Sequence, residues 1–263
     1  MIEVGIIGYG ALASDVVERL TDLQPRIALT AVALREGSAS SGMVPPGVAR
    51  ITRPEDWAAA APDLVLECAG ASALADWGAA SLSRPRRLLV SSVGALMEDD
   101  LRLTLDAAAR RSGARLIPTD GAVPGIGAAV AAAAGPGGRV RHLMVKPPAA
   151  WAGSPAAALL DLGSVAERTV FFRGTAREAA LKFPRNANVT AALALKGLGP
   201  DQTEVALAAD PSAIVNGHCI EISGAFGHIA LDYRSRALAA NPRTSELTAI
   251  TLVHELKELA AMY

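Results

Sequence analysis

The chain has 263 residues, 51% of them hydrophobic, and a formal net charge of −1 at pH 7. This length and apolar content suffice for one large globular domain or two modest ones with a sizeable core. The near-zero charge and the lack of any Lys/Arg run exclude a basic field for nucleic acid or for an acidic membrane surface.

The number of cysteines and the N-terminal sequence indicate the cellular compartment in which the protein works. Cys68 and Cys219 are too few for a disulfide framework and lack metal-ligand spacing, so no metal site is expected. Glu3 lies within a strand pattern, no basic n-region precedes an apolar segment, and no apolar stretch reaches the length of a membrane span. We therefore expect a soluble, cytoplasmic protein.

The first segment, Ile2 to Leu20, predicts a strand, a tight turn and a helix. Its β-branched run breaks at Gly8-Tyr9-Gly10, and apolar residues then resume with helical spacing from Leu12 onward. This order of elements is the one in which a glycine-rich turn binds a dinucleotide.

The turn and the helix start form a G-x-G-x-x-A motif. Gly8 permits the sharp turn, Gly10 lets the backbone approach a pyrophosphate, and Ala13 still permits close helix–strand packing. The helix N-terminus, beginning with Ala11 and Leu12, offers unpaired N–H groups to phosphates. Glycines in such a turn can serve geometry alone, but the flanking strand and helix favour nucleotide binding.

The end of the second β-run, Ile27 to Leu34, bears on the choice of cofactor. In NAD-specific sites an acidic residue about 20 positions beyond the glycines accepts from the ribose 2′-hydroxyl. Here Arg35 follows the strand and could pair with a 2′-phosphate, with Ser38 as a helper. This favours NADP over NAD, although Glu36 could still reach the ribose and Arg35 could be only a solvated charge.

From Val48 to Thr119 strands and helices continue to alternate. Two short apolar runs are typical of a parallel sheet buried on both faces, namely Leu64–Ala69 and Leu88–Val93. Helical patterns lie at Pro54–Ala60, Ala71–Ala80 and Glu98–Arg111.

Small residues follow two of these strands. Ala69 and Gly94 fall at carboxyl ends of strands, where ligands bind in open α/β sheets. Both are candidates for lying close to a cofactor, and simple loop punctuation is an equal alternative for each.

The pattern of predicted elements changes after Pro118. A dense turn cluster opens an Ala-rich helix that runs to Ala134. Beyond it longer strands are predicted at Val140–Lys146, Arg168–Phe172, Glu204–Ala208, Val215–Phe226 and His228–Arg234, and helices near Ser154–Leu160 and Asn188–Leu198. Thr244–Ala261 predicts an amphipathic helix that packs back on the first domain.

These patterns predict an α/β chain with two domains. Residues 1–120 form an N-terminal Rossmann-type doubly wound parallel sheet, joined by a C-terminal helix in 240–263. Residues 121–239 form a second, α+β domain with a mixed or antiparallel sheet.

Two segments of the second half resemble the paired signature of the L-aspartate dehydrogenase family. They are residues 183–195, which read FPRNANVTAALAL, and residues 216–227, which read NGHCIEISGAFG. Residues 91–96 and 241–245 resemble its flanking motifs. The match spans essentially the whole chain, in the right order.

The resemblance implies an NAD(P)-dependent oxidoreductase that interconverts L-aspartate and iminosuccinate, or oxaloacetate plus ammonia, in some members for pyridine nucleotide biosynthesis. It implies that His218 is the catalytic histidine and that Ala122, through its backbone, and Asn188 contact the nicotinamide end of the cofactor. It also implies a homodimer formed through the sheet of the second, catalytic domain.

The residues themselves agree. His218 interrupts a strand of small and polar neighbours, and an imidazole near neutrality can protonate an imine nitrogen or activate the attacking water. A structural core or edge histidine is the alternative. Cys219 is the next residue of the predicted strand, and successive residues point to opposite faces, so the pattern argues against a Cys–His nucleophile pair. Asn188 heads a helix, where it could equally serve as a cap.

The other three histidines have no comparable context and are interpreted as structural: His142, His228 and His254.

One run departs from the family pattern, in which Gly-Ala precedes a glycine-rich turn ending in Leu-Asp. Residues 121–127 read GAVPGIG, so Pro124 replaces a glycine and Gly127 stands where the acid is expected. If that acid orders the substrate amine or the catalytic histidine, this chain prefers another substrate.

Recognition of a dicarboxylate substrate would need cations. The nearest candidates by sequence are Lys182, Arg185 and Lys146, with Asn186 beside them as a polar contact. Two other functions stay open: a related NADP-dependent reductase of a different imine or oxo substrate, and a catalytically silent NADP-binding sensor.

Overall fold

The computed structural model describes residues 1–21, 26–84, 86–123, 127–133 and 135–261. The chain divides into two compact units. The first comprises Met1–Gly121 and Thr248–Tyr263, and the second comprises Ala122–Leu247.

The first unit is built on a six-stranded sheet. Its strands are β1 (Ile2–Ile7), β2 (Ile27–Ala33), β3 (Ala49–Ile51), β4 (Leu64–Glu67), β5 (Arg87–Val90) and β6 (Arg115–Pro118). All pair in parallel in the order β3-β2-β1-β4-β5-β6. The order reverses between β1 and β4, which confirms the predicted Rossmann-type doubly wound sheet.

Helices complete this unit. They are α1 (Ala11–Leu20), α2 (Trp57–Ala60), α3 (Ala71–Ser81) and α4 (Asp99–Ser112), with 3₁₀ turns at Ala39–Met43, Pro54–Asp56 and Val93–Met97. The central strand β4 is buried throughout its length, because helices of a doubly wound fold cover both faces of the sheet. In the C-terminal helix, Ala249, Leu252 and Leu256 join the core around β1 and α1.

The second unit contains a five-stranded mixed sheet. Its strands are β7 (Arg139–Lys146), β8 (Thr169–Thr175), β9 (Glu204–Ala209), β10 (Asn216–Gly224) and β11 (Gly227–Ser235), in the order β11-β10-β7-β9-β8. β7 and β9 are parallel and the other neighbours are antiparallel. A mixed sheet was one of the two predicted forms.

The helices of this unit include one that the sequence analysis did not predict. They are α5 (Gly127–Ala132), α6 (Ala156–Leu159), α7 (Ala176–Lys182) and α8 (Asn188–Lys196), with 3₁₀ turns at Pro148–Trp151 and Pro184–Asn186. The unpredicted helix is α7. Thr175 and Glu178 form a capping box at its start, and that T-x-x-E pattern is the signal that marks it.

The C-terminal boundary differs from the predicted one. Residues up to Leu247 lie in the second unit, because β13 (Asn241–Ser245) pairs with β12 (Ala237–Leu238). The last helix, α9, therefore spans Glu246–Ala261 instead of beginning at Thr244.

Strand register decides which side chains of the second sheet share a face. His218 of β10 lies opposite Met144 of β7 on one side and opposite Tyr233 of β11 on the other. Directly opposed residues share a face, and so do alternate residues of one strand. His142 and Lys146 therefore lie on the same face as His218.

Helices cover that face. Val130 of α5 and Val189 and Leu193 of α8 belong to one core cluster with Ile220 and Ile222 of β10. The chemistry-bearing side chains of β7 and β10 are thus held between the sheet and these helices. Across the residues that the structure describes, no helix is long and apolar enough to cross a membrane, and no group of acidic, histidine and cysteine side chains could hold a metal ion.

Candidate active site

The turn after β1 requires glycine at its first position because of the backbone conformation there and the close approach of Ala69. Gly8 has φ +82°, in the left-handed region that glycine tolerates. A Cβ placed on it would lie 2.4 Å from the Cβ of Ala69, at the end of β4. Gly8 and Ala69 therefore meet at the point where the strand order reverses.

Gly10 is needed for a different reason. It is the N-cap of α1 and makes no side-chain cap, and a Cβ placed on it would meet no atom within 4 Å. The turn thus leaves an open cradle at Gly10, directly before Ala11 and Leu12 at the N-terminus of α1. This cradle fits a pyrophosphate, since backbone donors and the helix dipole both favour an anion there.

A groove of about 250 Å³ runs from this cradle. It brings together Gly8, Gly10, Arg35 and Ala69 among its lining residues. Arg35 is exposed at the end of β2, with Ser38 close by in the same lining, where the Ser38 hydroxyl caps a 3₁₀ turn by accepting from the Ser40 N–H. Gly94 lies apart, in the 3₁₀ turn after β5.

Glu67 is a functional candidate that the sequence analysis missed. Its carboxylate is fully buried at the end of β4 and accepts hydrogen bonds from the N–H groups of Ala69 (2.7 Å), Gly70 (2.8 Å) and Ser92 (2.9 Å). The Ser92 hydroxyl donates a fourth, at 3.0 Å. Burial raises the pKa of Glu67, while these donors favour its charged form. An acid ending a buried strand was the available signal.

His218 and His142 form a hydrogen-bonded pair in the second unit. Nδ1 of His218 lies 2.9 Å from Nε2 of His142, and Nδ1 of His142 lies 2.9 Å from the Thr190 hydroxyl oxygen. All three side chains are buried. His142, which the sequence analysis interpreted as structural, therefore lies in direct contact with the candidate catalytic residue, because of the register of β7 and β10.

Burial keeps both imidazoles neutral. It lowers the pKa of His142 to about 3. It also lowers the pKa of His218 well below its usual value, with smaller contributions from its neighbours His142 and Lys146. A buried imidazole resists protonation because the cation loses its hydration.

Tyr233 stacks on the other side of His218. The two ring centroids are 5.0 Å apart and the planes are 11° from parallel. The Tyr233 hydroxyl is buried and has no hydrogen-bond partner among the described residues, and burial raises its pKa.

Lys146 is the candidate cation that the structure sets near the histidines. Its Nζ donates to Oδ1 of Asn186 and lies 5.0 Å from the centre of the Trp151 ring. Burial lowers the pKa of Lys146 to about 8, so the ammonium persists at neutral pH. Its charge acts on His218. Lys146 and Asn186 thus form one polar cluster.

The other two candidate cations lie in different settings. Lys182, at the end of α7, is exposed and has Nζ 5.4 Å from the centre of the Phe172 ring. Arg185 is exposed on the 3₁₀ turn before α8.

Three further positions from the sequence analysis are placed as follows. Asn188 is the exposed first residue of α8, and Ala187 occupies the N-cap, so the cap interpretation of Asn188 is not what the structure shows. Ala122 is buried in the same core cluster as Ile220. Pro124 lies outside the described residues, and a side chain at Gly127 would lie 3.7 Å from Cδ of Lys196.

A parallel sheet in this order, with a glycine turn and a helix N-terminus directly after β1, is the arrangement that binds dinucleotides. The fold and the turn therefore place the chain in the class of Rossmann-type dinucleotide-binding proteins.

Comparison with known proteins narrows this class. Residues 128–259 match the family described as "Aspartate dehydrogenase, C-terminal", and residues 8–118 match "Homoserine dehydrogenase, NAD binding domain". The chain is 41% identical over 256 residues to the L-aspartate dehydrogenase of Brucella anthropi, which covers 97% of this chain and 96% of that one. It is 40% identical to that of Pseudomonas aeruginosa, with 97% of each chain covered. The chain belongs to the L-aspartate dehydrogenase family, as its motifs indicated.

Solved structures show the same fold. Aspartate dehydrogenase from Thermotoga maritima is similar with a TM-score of 0.72 at 24% identity, over 98% of this chain and 97% of that one. A hyperthermophilic archaeal homoserine dehydrogenase in complex with NADPH is similar with a TM-score of 0.60 at 10% identity, over 100% and 98%.

Proposed function

We propose that the chain is an L-aspartate dehydrogenase, which oxidises L-aspartate to iminosuccinate and works reversibly from oxaloacetate plus ammonia. Membership of the family supports this activity. The structural observation that carries it is the placement of a buried imidazole, His218, and a partly buried ammonium, Lys146, on one face of the second sheet. The first can move a proton and the second can bind a carboxylate.

The first unit holds the cofactor. Gly8 and Gly10 keep the turn open, and the N–H groups at the start of α1 bind the pyrophosphate. Arg35 and Ala69 line the groove beside them. The nicotinamide ring, when bound, accepts a hydride from the α-carbon of the substrate or returns it.

The role of His218 is proton transfer. When water attacks the imine carbon of iminosuccinate, the oxygen–carbon bond forms as the water gives up a proton, and Nε2 of His218 accepts it. In this step the C=N bond of the protonated imine gives its π pair to the nitrogen, so a neutral carbinolamine forms. His218 then returns its proton to that nitrogen, and the C–N bond breaks as the hydroxyl oxygen forms the carbonyl, so ammonia leaves and the hydroxyl proton passes to solvent. Among the described residues Nε2 has no hydrogen-bond partner, since the one hydrogen bond of this ring is made by Nδ1. That nitrogen is therefore available for the reaction.

Lys146 is proposed to bind a substrate carboxylate. Asn186 orients the ammonium, and burial strengthens its attraction for a negative charge because little water screens the pair. A carboxylate bound here would sit within the field that Lys146 already exerts on His218. Lys182 and Arg185, both exposed, are the weaker candidates.

We also propose NADP as the preferred cofactor. Support comes from Arg35, which lines the groove at the end of β2, where NAD-specific sites carry an acid. A guanidinium there pairs well with a 2′-phosphate.

The activity test is reduction of oxaloacetate in the presence of ammonia, followed by loss of NADPH or NADH absorbance. We expect turnover in the wild type, and a kcat lower by about 100-fold or more in His218→Gln, because general acid–base catalysis contributes about 10²–10⁴-fold. Cofactor affinity, measured by fluorescence, should be unchanged in that variant. His254→Gln, an exposed histidine of the first unit, is the matched control. Equal kcat in His218→Gln and wild type would refute the assignment.

A related reductase of another imine or oxo acid is the second candidate. Gly127 favours it, since the acid that the family pattern places there is missing. A panel of oxo acids with ammonia, and of amino acids in the reverse direction, separates the two. A kcat/KM highest for a substrate without a second carboxylate would favour the second candidate.

We further propose a cytoplasmic homodimer that associates through the face of the second sheet opposite His218. A cavity of about 590 Å³ lies on this face, with Leu143, Val170 and Cys219 among its lining residues. Its partly exposed apolar side chains suit a second copy of the chain. Sedimentation should show a dimer, and Leu143→Glu should shift it towards monomer. A monomeric wild type would refute the dimer.

A further inference from the structure

We propose that His142, backed by the hydroxyl of Thr190, is a positioning residue that lets His218 take up and release the catalytic proton. The inference rests on the proposed role of His218 and extends it to two residues with no assigned part in the reaction. It comes from the series of two hydrogen bonds that links Thr190 to His142 and His142 to His218.

When the His218 ring is charged, it needs a hydrogen-bond acceptor for its Nδ1–H. Once Nε2 of His218 has accepted a proton, both of its ring nitrogens carry hydrogen. Nδ1–H must then donate, and the group in contact with it is Nε2 of His142. His142 can accept there only if its own hydrogen is on Nδ1, where it donates to the Thr190 oxygen.

A hydroxyl is a suitable acceptor for the Nδ1–H of His142. By accepting there it holds His142 in the tautomer whose Nε2 accepts from His218, whether His218 is neutral or charged. His218 can therefore take up and release its proton at Nε2 in both directions of a reversible reaction, while the hydrogens of His142 and Thr190 stay in place. An alkyl side chain at position 190 would leave the Nδ1–H of His142 without an acceptor.

The other side chains around His218 do not accept its Nδ1–H. Lys146 is directed to Asn186 and its positive charge disfavours a second cation at His218. Tyr233 contributes a stacked ring, which can stabilise a cation but does not accept the Nδ1–H, since its hydroxyl has no partner among the described residues. The charged imidazole therefore depends on the acceptor that His142 provides.

Burial also keeps the acceptor available. His142 is 1% exposed, and its pKa of about 3 keeps it neutral at the pH of the reaction. A protonated imidazole has no lone pair that can accept a hydrogen bond, so His142 must be neutral to accept from His218.

The kinetic test compares His142→Leu, which removes the acceptor, with His142→Gln, whose amide can place an oxygen near the former Nε2. Thr190→Val and Thr190→Ser form the second pair. We expect kcat to fall about 10- to 100-fold in the Leu and Val variants and to be largely retained in the Gln and Ser variants. KM for the substrate and the cofactor dissociation constant should change by less than about 3-fold, since the loss concerns only a charged state formed during turnover.

The pH profile adds a readout that a merely structural role would not move. Loss of the acceptor destabilises the charged His218 and lowers its pKa, so the acidic limb of kcat in the aspartate-oxidising direction should shift to lower pH in His142→Leu. The other groups facing His218, Lys146 of β7 and Tyr233 of β11, are unchanged by the substitution. If His142→Leu does not fold, Thr190→Val gives the same test.

A spectroscopic measurement is independent of turnover. In ¹⁵N-labelled protein the N–H shared by the two rings should give a slowly exchanging imidazole signal that is lost in both His142→Leu and His218→Gln. A wild-type kcat in both His142→Leu and Thr190→Val, or no such signal in the wild type, overturns the proposal. If instead His218→Gln keeps full activity, the proposed function fails, and the two failures are distinguishable.

Discussion

The carboxylate of Glu67 accepts hydrogen bonds from both the backbone N–H and the hydroxyl of Ser92, 25 residues further along the chain. The same carboxylate accepts from the N–H groups of Ala69 and Gly70. One buried side chain therefore ties together the two loops that leave β4 and β5. Those loops lie at the carboxyl ends of the strands, where open α/β sheets bind ligands.

Replacement of Glu67 by Gln should weaken cofactor binding. The amide group can accept through one oxygen, and its NH₂ meets a backbone donor, so one loop loses its anchor. We expect the dissociation constant of NADPH to rise about 10-fold and the free energy of unfolding to fall by about 1–3 kcal/mol. Fluorescence titration and urea unfolding measure the two effects. Glu18→Gln, an exposed acid on α1, is the control, and equal cofactor affinity in the two variants would contradict the role.

The two glycines of the first turn should differ in what they contribute. Gly8→Ala forces a left-handed residue against Ala69 and should lower the free energy of unfolding by about 2–4 kcal/mol. Gly10→Ala adds a methyl group in open space at φ −96°, so stability should be nearly unchanged while cofactor affinity drops. Thermal unfolding with and without NADPH distinguishes the two. Equal loss of stability in both variants would argue against this division.

Arg35→Ala should reverse the cofactor preference. Loss of a charge-assisted pair with the 2′-phosphate is expected to weaken NADPH binding about 10-fold or more and to leave NADH binding unchanged. Fluorescence titration with both cofactors measures the ratio. Arg110→Ala, an exposed arginine of α4, provides the control. Tighter binding of NADH than of NADPH by the wild type would show that Arg35 is only a solvated charge.

Substrate affinity should fall as pH rises through the pKa of Lys146. Burial lowers that pKa to about 8, so the ammonium is lost at a lower pH than for an ordinary lysine and KM should rise above about pH 8. Lys146→Met should raise KM at neutral pH and remove this dependence, whereas Lys257→Met, at an exposed position of α9, should behave as the wild type. A KM independent of pH in the wild type would exclude Lys146 as the carboxylate ligand.

Acid should destabilise the fold through the buried histidines. The folded-state pKa of His142 is about 3, below its unfolded value, so the unfolded chain binds more protons and stability falls as pH drops below about 6.5. His218 acts in the same direction. Urea unfolding between about pH 7.5 and pH 5 should show a smaller slope for His142→Gln than for wild type, by up to about 1.4 kcal/mol per pH unit. An equal slope for wild type, His142→Gln and the control His254→Gln would contradict the burial of a neutral His142.

The elements that the sequence predicted correctly are those defined by local periodicity. β1, its glycine turn and α1 follow one another within twenty residues, and each is marked by its own spacing of apolar side chains. Helix α7 is also marked locally, by the capping box of Thr175 and Glu178, although the sequence analysis did not predict it. The strand Asn241–Ser245 has no periodicity of its own and exists through its pairing with β12.

The sequence by itself determined the doubly wound first unit, the dinucleotide turn, the mixed or antiparallel second sheet and His218 as the residue to examine, because motifs and periodicity are properties of short segments. Only the tertiary structure decided that His142, 76 residues away, bonds to His218, that Lys146 reaches Asn186, and that Glu67 joins two loops. Those contacts depend on strand register and on burial. Neither is written in the order of residues within a single strand, because a shift of one position would turn the same side chains to the opposite face.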